Sequence, residues 1–201
     1  MSPAPANQTN AVRDNILATG QRIMGAKGFS AVGLNEILSE AKVPKGSFYH
    51  YFGSKEAFGE ALLENYFEAY LADIAATLGR PGSSMAQRLM NYFQEWQDNQ
   101  SFQDCQGKCL AVKLGAEVAD LSEPMRLALR RGTDEIVRRL ASAIALGAAE
   151  GSLSVDESPE AVAQSLYQMW LGASVMVKIA RTTAPFQQAV ATTKKMLHLA
   201  A

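Results

Sequence analysis

Residues 43–58, VPKGSFYHYFGSKEAF, constrain the rest of the chain more than any other stretch. The segment before them, LNEILSEA at 34–41, places its apolar residues at helical spacing, and a connection of three or four residues ending at Pro44 separates the two. Proline is tolerated at a helix start, where its missing N–H would be unpaired anyway. Two short helices joined by so tight a turn have the outline of a helix-turn-helix. The second helix is expected from about 45 to 51, with Gly53 as its stop. Its apolar mass is thin, mainly Phe48, Tyr51 and Phe52, and the remainder, Lys45, Ser47, Tyr49 and His50, is polar. Such a helix suits insertion into a groove of double-stranded DNA better than filling an interior.

A DNA-binding reading must be reconciled with charge. The 201 residues carry a net charge of −1. Over residues 1–60, Arg13, Arg22, Lys27, Lys42, Lys45 and Lys55 face Asp14, Glu36, Glu40, Glu56 and Glu60, an excess of one. This balance argues against non-specific coating of nucleic acid, and a specific interface must focus its positive charge on one face. No run of 18 or more apolar residues exists to span a membrane. The opening MSPAPANQTN lacks the basic start and apolar core of a signal peptide, and residues 1–11 are expected to be a disordered tail. Two cysteines fit a reducing cytoplasm and supply no disulfide framework.

The pattern is helical throughout. A first helix is expected over about 12–27, ended by Gly28. A long one follows over about 55–78, opened by Ser54 as cap, with Phe58, Leu62, Tyr66, Phe67, Tyr70 and Ile74 as its apolar stripe. Further helices are expected at 85–97, 108–119, 123–149 (with a break near Gly132), 159–181 and 185–199, while 97–108 reads mostly as loop. The expected architecture is all-α: a three-helix DNA-binding domain at 12–58, then an α-helical regulatory and dimerisation domain at 59–201.

The stretch GFSAVGLNEILSEAKVPKGSFYHYFGSKEAF closely resembles the DNA-binding segment of the TetR family of repressors. The family's K-G-x-x-Y-x-Y-F-x-S-K-E core stands here as Lys45, Gly46, Tyr49, Tyr51, Phe52, Ser54, Lys55 and Glu56. Three positions depart from it: Gly33 for a common capping Thr, Lys42 for a common turn Gly, and Pro44 for a common Ser. The resemblance implies phosphate contacts from Tyr49 and Lys55. Lys45 starts the recognition helix, where a cation reaches a phosphate or a guanine edge. Ser47 and His50 share the exposed face, and Gly46 permits close backbone approach. Small residues crowd the later helices (Ala141, Ala143, Ala145, Gly147, Ala148, Gly172, Ala173, Ser174). In the resembled family that helix pair joins its copy in a homodimer, which presents two recognition helices to the half-sites of a palindromic operator.

Cys109 is the candidate input. It is expected in the first turn of a helix, beside Lys108 and one turn from Lys113, and both surroundings favour the nucleophilic thiolate. Cys105 lies four residues earlier and could resolve an oxidised Cys109. The alternative is a buried cysteine acting as a small hydrophobe. The cysteines and the distant His50 and His198 lack the clustering a metal needs, and no cofactor motif is present. CLAVKLGAEVADLSEPMR (109–126) and WLGASVMVKIAR (170–181) look like the TetR subgroup of the N-ethylmaleimide-reductase repressor. That likeness implies electrophile or oxidant sensing at Cys109, with Lys178 near it. A rival input is a reversibly bound small molecule among Tyr66, Tyr70, Tyr92, Phe93, Trp96, Phe102, Tyr167 and Trp170, although aromatic residues at helical spacing more often make plain core. An enzyme using Cys109 as nucleophile is a remote third reading, because no general base or phosphate loop accompanies it.

Overall fold

The computed structural model describes residues 6–100 and 109–199, with side chains from residue 11 onward. Among them every regular element is an α-helix: α1 (Ala6–Lys27), α2 (Leu34–Ala41), α3 (Lys45–Tyr51), α4 (Lys55–Leu78), α5 (Met85–Asn99), α6 (Leu110–Leu121), α7 (Glu123–Ala149), α8 (Pro159–Ala180) and α9 (Ala184–Met196). They fall into two compact units. The first holds α1 to α3, α4 up to residue 68, α6, and α7 up to residue 130; the second holds the remainder.

The first unit is built on α1, which buries Ile16, Leu17, Ile23 and Met24 and packs against α2, α3 and α6. Gly28 ends α1 at φ +94°, a conformation that favours glycine. The Asn15 amide donates to the carbonyl of Ala41 at 2.9 Å, satisfying an orphan acceptor at the end of α2. Ser54 caps α4 by accepting from the Ala57 N–H at 3.1 Å. Gly59 lets Phe29 and Met125 press on α4, since a Cβ there would stand 2.4 Å from the Met125 sulfur.

The core of the second unit is aromatic. The fully buried Trp170 ring lies between Phe93 (4.8 Å between centroids, 18° between planes) and Phe186 (5.7 Å, 24°). Both indole N–H groups are satisfied inside: Trp96 donates to Ser174 Oγ at 2.9 Å and Trp170 to Thr193 Oγ1 at 3.0 Å. The Glu150 carboxylate accepts from the Met85 N–H, and Ser152 Oγ accepts from the Ala86 N–H at 3.1 Å, so the turn after α7 caps α5. No helix among the described residues is long and apolar enough to cross a membrane.

Several boundaries differ from those read in the sequence. α1 starts at Ala6, inside the stretch expected to be a tail, because nothing after Pro5 breaks a helix and proline is compatible with a helix start. Residues 1–5 lie outside the described residues. α7 runs unbroken through Gly132, whose cost of about 1 kcal/mol the surrounding helix formers outweigh. α6 begins at Leu110 and not at 108, and α9 stops at Met196, short of 199.

Thr193 Oγ1 also donates to the Ala189 carbonyl at 2.8 Å, so its hydroxyl is committed on both sides. Thr193→Val keeps the shape and leaves the Trp170 N–H without an acceptor. The expected loss is about 1–3 kcal/mol, read as a lower urea midpoint with unchanged slope.

Candidate nucleic-acid interface and thiol site

Only Phe48 of α3 is buried. Its ring meets Phe52 at 5.2 Å and Phe58 at 5.5 Å, and those two meet each other at 5.1 Å. One side chain therefore sets the rotation of the helix, leaving Lys45, Gly46, Tyr49 and His50 exposed and Ser47 half-buried. Tyr49 is 53% exposed, a large amount for an aromatic ring. Tyr51, expected in the core, is only half-buried and turns its ring toward His50, 5.0 Å between centroids.

The cations of residues 11–60 divide into two groups. Arg22 pairs with Glu40 at 2.7 Å and Lys27 with Glu36 at 2.6 Å. Arg13 lies 3.9 Å from Asp14 and over the Phe52 ring at 5.7 Å. The ammonium of Lys55 donates to the Phe29 carbonyl at 2.9 Å and sits over the Phe29 ring at 4.5 Å, so here it faces inward to the α1–α2 connection. Lys42 and Lys45 are exposed at the two ends of the turn before α3, and no carboxylate among the described residues pairs with either. Lys42 closes α2: its N–H reaches Ser39 O at 3.2 Å and the Val43 N–H reaches Leu38 O at 3.0 Å. That pattern needs a left-handed residue, usually glycine, and Lys42 adopts it at φ 54° and ψ 42°. For a residue with a Cβ this conformation costs about 1–2 kcal/mol.

Glu117, which the sequence reading did not single out, ties α6 to the turn ahead of the helix-turn-helix. Its carboxylate accepts from the N–H groups of Phe29 (3.0 Å) and Ser30 (2.7 Å), residues 88 and 87 positions away. A Cβ at Gly28 would stand 3.1 Å from the same carboxylate, a second reason for glycine there. Burial favours the protonated acid. The Ser30 hydroxyl and N–H, the Phe29 N–H and the Lys55 ammonium outweigh it and hold the carboxyl below its ordinary value of 4.5.

Cys109 lies on the same helix, as the N-cap residue of α6 (φ −94°, ψ 103°) and not within its first turn. It is 8% exposed and its side chain makes no capping bond. Cys105, Lys108 and Phe102 lie outside the described residues. Lys178, half-buried in the last turn of α8, belongs to the second unit, whereas Cys109 belongs to the first. Tyr66 belongs to the first unit, and the second brings the other described pocket candidates together: the Tyr70 and Tyr92 hydroxyls are 3.1 Å apart, and Trp96 meets Tyr167 at 5.7 Å and Trp170 at 6.1 Å. Tyr92, Trp96, Tyr167 and Trp170 are all buried, as mutual packing partners. Of the small residues, Ala141, Ala143, Gly147, Ala173 and Ser174 face inward, and Ala145, Ala148 and Gly172 are exposed. Leu146 on α7 and Val175, Met176 and Ile179 on α8 are also exposed, Ile179 being 68% accessible. Among the described residues no cluster of histidine, cysteine and carboxylates could hold a metal ion.

Two family models match the chain: "Bacterial regulatory proteins, tetR family" over residues 16–62, and "Tetracyclin repressor-like, C-terminal domain" over residues 86–193. The chain is 40% identical to the HTH-type transcriptional repressor NemR of Escherichia coli (strain K12), covering 92% of this chain and 93% of that one. It is 33% identical to the HTH-type transcriptional repressor DhaR of Mycobacterium sp. (strain GP1), covering 88% and 87%. The crystal structure of the reduced form of E. coli NemR superposes with a TM-score of 0.89 at 40% identity, over 95% of this chain and 99% of that one.

The tie at Glu117 makes a pH-dependent contribution whose sign follows from its lowered pKa. The contribution is complete above the ordinary carboxylate value and lost as pH falls through the lower folded one. Glu117→Gln is expected to destabilise the protein at neutral pH by about 1 kcal/mol, less than is usual for a charged partner because water screens a half-exposed carboxylate. Melting temperature against pH should then fall less steeply below about 4.5 than in the wild type.

Proposed function

The chain belongs to the TetR family of bacterial transcriptional repressors, and from that membership we propose a cytoplasmic homodimer that holds a palindromic operator and releases it when an electrophile adds to Cys109. Lys45, Gly46, Ser47, Tyr49 and His50 form the DNA-facing side, with Lys55 positioning the connection behind it. The relatives that match most of the chain are regulators and not enzymes, so the thiol is assigned one reaction per protomer and no turnover.

The observation that carries this reading is the placement of Cys109 and Glu117 on one helix. Cys109 precedes the first turn of α6, and Glu117 lies two turns along it, holding the turn that leads into α2. In the proposed reaction the thiol proton passes to water and the thiolate sulfur attacks an activated carbon–carbon double bond, as in a maleimide. A carbon–sulfur bond forms, the π bond breaks, and the neighbouring carbon takes a proton from water. The thiol is buried, so the adduct overfills its site and displaces the start of α6, at a typical cost of 1–3 kcal/mol. Each 1.4 kcal/mol of difference between the DNA-bound and adduct-favoured conformations weakens operator binding about tenfold.

One observation favours a second reading, release by a reversibly bound ligand. Gln100 is 5% exposed, and its Oε1 has no hydrogen-bond partner among the described residues, an acceptor that a ligand hydroxyl or amide would satisfy.

Binding to duplex DNA from upstream of the gene should be measured at fixed salt for wild type and Cys109→Ser, each treated with N-ethylmaleimide. The expected outcome is about tenfold or greater loss of affinity in the wild type, one adduct per protomer on Cys109, and no change in the variant. Equal release in both moves the sensor to another group, and release in neither favours the reversible ligand. For the dimer, Ile179→Glu on the exposed face of α8 should give monomers in sedimentation and abolish tight operator binding, with helicity retained. A dimer that survives this change would place the interface elsewhere.

A further inference from the structure

We infer that Lys42, in the left-handed turn between α2 and α3, is itself a phosphate-binding residue of the DNA interface; the inference rests on the operator-binding reading above. Among the described residues three non-glycine residues have positive φ: Lys42, Arg181 and His198. His198 is held by Asp156 at 3.1 Å. Lys42 has no acidic partner among the described residues, so no ion pair compensates its backbone strain. Its backbone bonds would form at least as well with glycine, which adopts this conformation without penalty. What lysine adds at this position is an exposed ammonium on a flexible stem.

The charge distribution says where that ammonium is useful. Arg22 and Lys27 are consumed by Glu40 and Glu36, Arg13 lies by Asp14 and Phe52, and Lys55 is turned onto Phe29. Of the cations at residues 11–60, Lys42 and Lys45 remain, separated only by Val43 and Pro44 and flanking the turn that presents α3. The nearly neutral stretch of residues 1–60 thereby concentrates its unpaired positive charge beside the exposed face of the recognition helix. An unpaired surface lysine next to a groove-reading helix takes a backbone phosphate, a contact that sets register and carries no sequence information.

The test uses the full-length protein with Lys42→Gly, Lys42→Asn and Lys42→Arg. Asparagine tolerates the left-handed conformation without a charge, and arginine keeps the charge with the strain. Stability is read by urea unfolding. Affinity is read over a series of KCl concentrations, for the upstream duplex and for an unrelated duplex. Lys42→Gly should be at least as stable as the wild type, yet bind both duplexes about three- to tenfold more weakly. Its logarithmic salt slope should fall by about 0.9 for each protomer. Lys42→Asn should show the same loss, and Lys42→Arg should restore affinity and slope. If Lys42→Gly binds with unchanged affinity and slope, Lys42 is a structural residue of the turn and the inference is overturned. A wild type that binds neither duplex overturns the operator-binding reading, and this inference with it.

Discussion

A helix of seven residues cannot sustain its own hydrogen-bonded turns in water, so α3 exists because Phe48 is buried and because Phe52 and Phe58 close an aromatic triangle around it. Everything on the exposed side of α3 follows from that single anchor. It fixes the rotation of the helix, and it frees the remaining positions to be polar and exposed. It also leaves the three N-terminal helices with a thin core, which explains why the first unit recruits the start of α4, α6 and the beginning of α7.

α6 is more than added apolar surface. Leu114 and Val118 pack it into the unit, while Glu117 reaches the backbone of the α1–α2 connection. Charge-assisted bonds to two backbone N–H groups are directional, so a shift of α6 along its axis is resisted at the turn feeding the helix-turn-helix. Lys55 completes the arrangement from the other side, donating to the Phe29 carbonyl. The same connection is thus held by an anion on its donors and a cation on its acceptor. A perturbation at the Cys109 end of α6 has a short route to the geometry of α2 and α3.

The second unit solves a different problem. Two tryptophans bring polar N–H groups into an apolar interior, where an unmet donor is costly. Ser174 and Thr193 meet them, each also donating to a carbonyl four residues earlier on its own helix. Those hydroxyls fix α8 against α5 at Ser174 and against α9 at Thr193. Val175, Met176 and Ile179 then stand exposed beside the buried Ser174 and Val177, the apolar face to which the proposed dimer is assigned.

Much of this was legible in the sequence. The helices over 34–41, 45–51 and 55–78, the stop at Gly28 and the cap at Ser54 rest on periodicity and local terminal chemistry, which act within a few residues. The same local signals, together with the motif core from Lys45 to Glu56, sufficed for the family and for the exposed face of α3. They failed where an end lacked a marked signal, as at the starts of α1 and α6. What only the tertiary structure decided is the use of each charge. In sequence Lys42, Lys45 and Lys55 are three lysines near one motif, and nothing local tells which of them keeps its charge for a partner. Folding turns Lys55 onto a carbonyl 26 residues away and brings Glu117 to N–H groups 87 and 88 residues away, while Lys42 and Lys45 keep their ammonium groups in solvent. The strain at Lys42 was equally hidden, because a residue's φ belongs to the closing of two helices on each other and not to its name. Local order is written in neighbouring residues, whereas which charges remain for a partner depends on long-range pairing that only the packed chain resolves.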